Sequence, residues 1–471
     1  LTKRYGGRID GLIAVVAGAA VVALFAGPVP LAVVAAVLIV AAGAIWPVVT
    51  LGLVVATIPF QPITRSVGHY DFSATEVLIV LATAAAVLRL VAWAASATSV
   101  RSAGGSPGVV GAQRSIFRDW YHRAGDPVTL LLVGLFVLAG VVSLSASVTV
   151  HQSIQSLRVV IVEPAVFYLL AVTQIRTRRE LCLLALALVV GGVLISLFGL
   201  WQYAVGDRII TAEAGLRRIR GFYGSPNNLG LYLGRTVPFA LALALWWPRG
   251  RRLLVVATII MALALLLTFS LGAFVAVGMS ALLVTYLWSR RAFFVGVLAS
   301  GVVLAVGAVA ALSIPRLGSH FDLQSSTTSI RLDVWQSAIR MLAGHSLRGI
   351  GLDNFLYYYQ NGYRLPSAWQ EPNLSHPHNF ILDFWLSLGL PGLLVLVLLV
   401  GRFVELVHRS WRDADSVERG LYAGAIGALA DTFLHGAVDN SFFLPDLAVL
   451  FWLMFAIVAV PLASRARSVS H

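Results

Sequence analysis

The run Ser375-His376-Pro377-His378-Asn379, with Asp383 shortly after it, is the densest group of proton-handling side chains in the sequence. It stands where a long polar stretch gives way to apolar sequence. Pro377 fits the first turn of a helix starting near His376, which leaves His378 among the first unpaired N–H groups. The positive end of such a helix disfavours imidazolium, so a neutral imidazole is expected there, suited to act as general base for a hydroxyl group. A capping histidine beside an aqueous exit is the plainer alternative. Asn379 and Asp383 are spaced to share one helix face, and a carboxylate inside an apolar segment is costly unless it faces a protein-lined cavity.

Two further groups suit anions. Arg217, Arg218 and Arg220 lead into Gly221-Phe-Tyr-Gly224-Ser-Pro-Asn227-Asn228. Guanidinium groups beside the exposed N–H groups of a helix start suit a phosphate or pyrophosphate. Headgroup anchoring with a simple asparagine cap is equally compatible. Arg331 follows Ser329, a candidate cap, on a segment where Leu332, Trp335, Ile339 and Leu342 form an apolar stripe. It can pair with Asp333 or face the same anion as Arg220. Glu163, beside Pro164, and the set His435, Asp439 and Asn440 are ionisable or polar groups within or at the ends of apolar runs, so each must pair or line water. A metal held by His376, His378, His435 and Asp439 was weighed against the absence of a tight ligand motif, and neither metal nor cofactor is expected.

The elements that must position these groups are membrane helices. Of 471 residues 59% are hydrophobic and only 12% charged, with a mean hydropathy of +0.86, against about 45–50% and about 25% in soluble proteins. The net charge of +13 comes mainly from short clusters beside apolar runs. That pattern sets topology and is not a nucleic-acid surface. The single cysteine, Cys182, excludes a disulfide framework. Counting apolar runs gives about 14 spans (12–14 if weak early runs merge). The expected fold is an all-α polytopic membrane protein, with both termini and the basic connection 96–127 cytoplasmic. Residues 1–312 form about 11 spans and include the external loop 203–226. Residues 313–378 form a large external loop with short helices, and 379–471 supply three more spans. A transporter would need inverted symmetry and charges near the midplane, and neither is apparent. A purely structural role leaves Glu163, Asp383 and Asp439 unexplained.

At these residues the chain resembles the bacterial O-antigen ligase family, within the superfamily that also holds O-antigen-type polymerases and protein O-oligosaccharyltransferases. That family's histidine motif is His, then Asn or Ser, nine residues, Gly, two residues and Gly; it is met by His378, Asn379, Gly389 and Gly392. Arg220-Gly221-Phe-Tyr-Gly224-Ser-Pro-Asn227-Asn228 is similar to its external arginine motif. Arg331, with Trp335 and Gly349-Ile-Gly351, is similar to the entrance of its large external loop. The likeness runs from about Arg217 to His435, and the N-terminal third matches by topology only. Where some members carry an arginine after a mid-bundle serine, this chain has Ser270-Leu271.

The resemblance implies a metal-independent, inverting membrane glycosyltransferase with a GT-C-like bundle in the cytoplasmic (inner) membrane, its site facing the periplasm or exterior. The implied donor is a glycan on undecaprenyl pyrophosphate, and the acceptor a hydroxyl of lipid A core or another lipid or glycan. His378 would be the base, and Arg220 and Arg331 would hold the pyrophosphate. Asn227, Asn228, Glu163, Asn379, Asp383, His376, His435 and Asp439 would surround donor and acceptor. Membrane lipids are expected around a monomer.

Overall fold

The computed structural model describes residues 16–68, 70–101, 126–206, 209–211, 217–313 and 326–469. The expected N-terminal basic cluster, most of the 96–127 connection and the start of the long polar stretch lie outside the described residues.

Helices dominate, interrupted by two small antiparallel hairpins, Thr64–Val67 with Tyr70–Ser73 and Ile210–Thr211 with Arg217–Arg218. In chain order the helices are α1 (Val16–Ala26), α2 (Val29–Ile45), α3 (Pro47–Thr57), α4 (Ala74–Arg101), α5 (Pro127–Ser143), α6 (Val150–Gln174) and α7 (Arg178–Val205). They continue with α8 (Pro226–Trp246), α9 (Arg251–Leu266), α10 (Leu271–Trp288), α11 (Arg290–Ser313), α12 (Ser326–His345) and the short α13 (Phe355–Tyr358). The last three are α14 (Phe380–Trp411), α15 (Ser416–Gly436) and α16 (Pro445–Val469). Among the described residues, 7 helices are long and apolar enough to cross a membrane, which makes this a polytopic all-α membrane protein. That is fewer than the 14 expected, because runs such as Val29–Ile45 and Pro47–Phe60 form apolar helices shorter than a full span.

The helix starts follow local chemistry. Thr177 and Glu180 form a reciprocal capping box on α7. Ser225, with Pro226 at the first helical position, caps α8, so the cap in the arginine loop is a serine and not the expected asparagine. Asn379 caps α14 by accepting from the N–H groups of Ile381 and Leu382, both at 3.1 Å. The helix therefore starts at Phe380, three residues beyond Pro377. His378 precedes it with φ +51°, and the helix-start argument for a neutral imidazole no longer applies.

The polar stretch is built onto this helix by backbone contact. α14 is interrupted at Gly389, where φ is +69° and Pro391 follows two residues later. The groups freed by the break are taken by the stretch: Ile350 N–H donates to Leu386 O at 2.7 Å, and Leu390 N–H to Ser346 O at 3.2 Å. A Cβ on Gly389 would meet the Leu347 carbonyl, and one on Gly349 the Leu386 carbonyl. Both glycines also have positive φ, so conformation and close approach demand the same residue.

Around this junction the stretch has its own small core of Val334, Ala338, Met341, Leu342, Ile350, Phe355, Tyr359 and Leu386. Of the expected stripe on α12, Leu342 joins this core while Leu332 and Ile339 stay outside it. Leu332 and Ile339 are both 58% exposed, whereas Val334, Ala338 and Met341 are turned inward. Ser329 lies inside the bounds of this helix, after its first described residue. Asn354 fastens the stretch to the α5–α6 connection. Its side-chain oxygen accepts from the N–H groups of Val148 and Thr149, and its amide donates to Ser147 Oγ, Ser153 Oγ and Leu352 O.

Candidate functional site

Four elements meet at the end of the polar stretch: the Ser375–Asn379 turn, the start of α14, the α15–α16 connection and the first turns of α6. The turn delivers two imidazoles to one carboxylate. His378 Nδ1 lies 3.0 Å and His376 Nε2 3.7 Å from Asp439 Oδ1, and the rings stand edge to face at 4.4 Å. The Asn440 N–H donates to the same oxygen at 2.8 Å. Burial alone would raise the Asp439 pKa, but the two imidazoles beside it more than offset this and hold the carboxyl well below the usual carboxylate range. With Nδ1 of His378 directed at a carboxylate, Nε2 is the nitrogen left for chemistry. It has no hydrogen-bond partner among the described residues. The turn is fixed from α12 by Trp335, whose Nε1–H donates to the His378 carbonyl at 3.3 Å.

His376 and Asp439 form one wall of a cavity of about 390 Å³. Asp383, Asp353 and Asn228 are among its other polar lining residues, with Gln152, Gln155 and Ser387. Asp383 is buried, touches Ser387 Oγ at 3.4 Å, and has one carboxylate oxygen with no partner. Asp353 and His378 are two of the three non-glycine residues with positive φ among those described. Such conformations cost on the order of 1–3 kcal/mol and persist only when surrounding structure imposes them; Asp353 lines this cavity, and His378 stands next to it through His376 and Asp439.

The remaining predicted residues fall into distinct places. Asn379 is occupied as the α14 cap and also donates to Ala437 O at 3.2 Å. Asn227 accepts from Arg218 at 2.9 Å. Arg220 contacts Gly224 O at 3.4 Å within its own turn. Arg331 lies one turn before Trp335 and within electrostatic reach of His435, and among the described residues it forms no ion pair with Asp333. Neither arginine is among the cavity-lining residues. Glu163 does not line this cavity: it borders an apolar groove on α4 and α6 and lies 3.7 Å from Arg158, which also pairs with Glu76 at 2.8 Å. His435 is buried behind the site, packed on Gly272 of α10. His376, His378 and Asp439 each present one ligand atom within 4.8 Å of the others, a set of three where structural zinc takes four.

Several participants were missed in the sequence. Nothing in the sequence singles out Gln152, Gln155 and Ser156, yet they line the cavity from the first turns of α6, just before its π-helical segment, Leu157–Val162. Arg235 was overlooked in an otherwise apolar run. It is 1% exposed, donates to Ser441 O at 2.6 Å and Thr432 Oγ1 at 3.1 Å, and lies 4.0 Å from Asp431. A lone cation inside a predicted span was the signal available for it.

A polytopic helical membrane protein with a histidine–carboxylate pair beside a polar cavity is the class that fold and site define. Residues 256–397 match the family model described as O-antigen ligase, and His378 and the Gly389 break both lie within the matched stretch. Members of this family are glycosyltransferase-like ligases. A search of curated proteins finds no match to the chain.

Proposed function

We propose that this protein transfers a glycan from a polyprenyl pyrophosphate, of the undecaprenyl kind, to an acceptor hydroxyl on the outer face of the cytoplasmic membrane. The observation that carries the reading is the 3.0 Å contact between His378 Nδ1 and the Asp439 carboxylate beside a polar cavity, within a chain whose residues 256–397 match that family model. Nε2 of His378 takes the acceptor proton as the acceptor oxygen bonds to the anomeric carbon. The bond from that carbon to the pyrophosphate oxygen breaks, and the pyrophosphate leaves with the electron pair. Attack opposite the leaving group inverts the anomeric centre. Asp439 holds the imidazole in the tautomer that leaves Nε2 basic and stabilises the imidazolium that forms. Arg220 and Arg331 neutralise the departing charge, the part a metal plays elsewhere.

The test is transfer by the purified protein from a polyprenyl-pyrophosphate glycan to lipid-linked and free saccharide acceptors, with and without chelator. A single coupled product that persists in chelator is expected. A ladder of glycan lengths would instead assign polymerase activity, and loss of transfer in chelator would assign the His376–His378–Asp439 group to a metal.

A further inference from the structure

The cavity beside His378 has a composition unlike that of a phosphate site. Three carboxylates line it, from Asp353, Asp383 and Asp439, together with the amides of Gln152, Gln155 and Asn228; among the described residues no lysine or arginine does. At about 390 Å³ it falls at the small end of ligand pockets, which run from roughly 300 to 1,000 Å³. Asp383 is buried and has an oxygen without a partner, an open acceptor position at the cavity wall. Phe355 and Phe443 add apolar faces. Carboxylates and amides in such number satisfy hydroxyl and amine hydrogens, and carboxylates repel an anion brought among them.

We infer that this cavity holds the acceptor sugar and selects one that is uncharged or carries an amine, excluding phosphorylated saccharides. The inference rests on the proposed transfer reaction and adds a division of labour to it. The anionic pyrophosphate stays on the side of Arg220 and Arg331, and the cavity takes the polyhydroxyl partner whose proton His378 accepts.

Ligand-observed NMR on the full chain in lipid nanodiscs tests this with three probes at equal concentration: glucose, glucosamine and glucose 6-phosphate. Saturation transfer is expected to glucose and glucosamine, with glucose 6-phosphate weaker by about tenfold or more. Asp383→Asn should weaken binding of glucosamine more than that of glucose. Gln155→Lys, at an exposed position where folding is not at stake, should admit glucose 6-phosphate. Binding of glucose 6-phosphate to the unaltered protein as tight as that of glucose would overturn the inference, as would failure of all three probes to bind. His378→Ala should keep the sugar selectivity whether or not it keeps transfer, so the two readings fail separately.

Discussion

His378 has one ring nitrogen committed to Asp439 and the other without a partner among the described residues, while His376 meets the same carboxylate at 3.7 Å and lines the cavity. If Asp439 orients the base, Asp439→Asn should lower the turnover number by about 10²-fold with little change in KM, because the amide favours the wrong tautomer. An equal loss in KM would place Asp439 in substrate binding instead. The depressed Asp439 pKa also carries a sign. An ionised carboxylate held below its ordinary value stabilises the fold above the unfolded-state pKa of about 4, and that contribution fades as pH falls through the folded value. The difference in apparent Tm between the unaltered protein and Asp439→Asn should therefore hold from neutral pH down to about 5 and narrow below about 4. A difference independent of pH would remove the charge from the account.

At the scale of elements, the site depends on the break in α14. Gly389→Ala would need both a positive φ and space occupied by the Leu347 carbonyl, so a loss of more than about 1 kcal/mol is expected, with the polar stretch becoming more sensitive to protease than the rest of the chain. Unchanged protection would show that the junction does not hold the stretch. Asn354→Ala removes the bonds that tie the stretch to the α5–α6 connection and leaves buried groups unpaired, a cost of about 2–3 kcal/mol read by the same assay. The spacing from His378 to Gly389 and Gly392 was legible in the sequence. The helix start was not, because Pro377 and Asn379 compete to begin α14 and the asparagine side chain reaches two N–H groups. Which apolar residues of α12 are covered by protein was not legible, because Leu332 and Ile339 are as apolar as Val334 and Met341, and only the fold decides which face packs.

Across the whole molecule, two buried ionisable layers lie one behind the other. Asp439 and His376 line the cavity, and Arg235 with Asp431 forms the second layer, the arginine also holding the Ser441 carbonyl just past Asp439. Removing one member of a buried pair strands the other, so Arg235→Met should cost about 3–5 kcal/mol. Adding Asp431→Leu should recover part of that loss, as a double-mutant cycle in detergent would show; additive losses would mean that the pair is not coupled. Composition and charge placement made the helical membrane class legible. The number of full spans was less so, since apolar runs shorter than the bilayer look alike in sequence whether they cross it or pack beside it. The share that α6 takes in the cavity, through Gln152 and Gln155, was beyond reach, because it depends on packing between distant segments. The central claim, that His378 is the base, is tested most directly by comparing transfer from polyprenyl-pyrophosphate glycan by His378→Ala and by His376→Ala. Loss of at least about 10²-fold in His378→Ala, with donor still bound and a smaller loss in His376→Ala, is the predicted result; near-normal transfer by His378→Ala would contradict it.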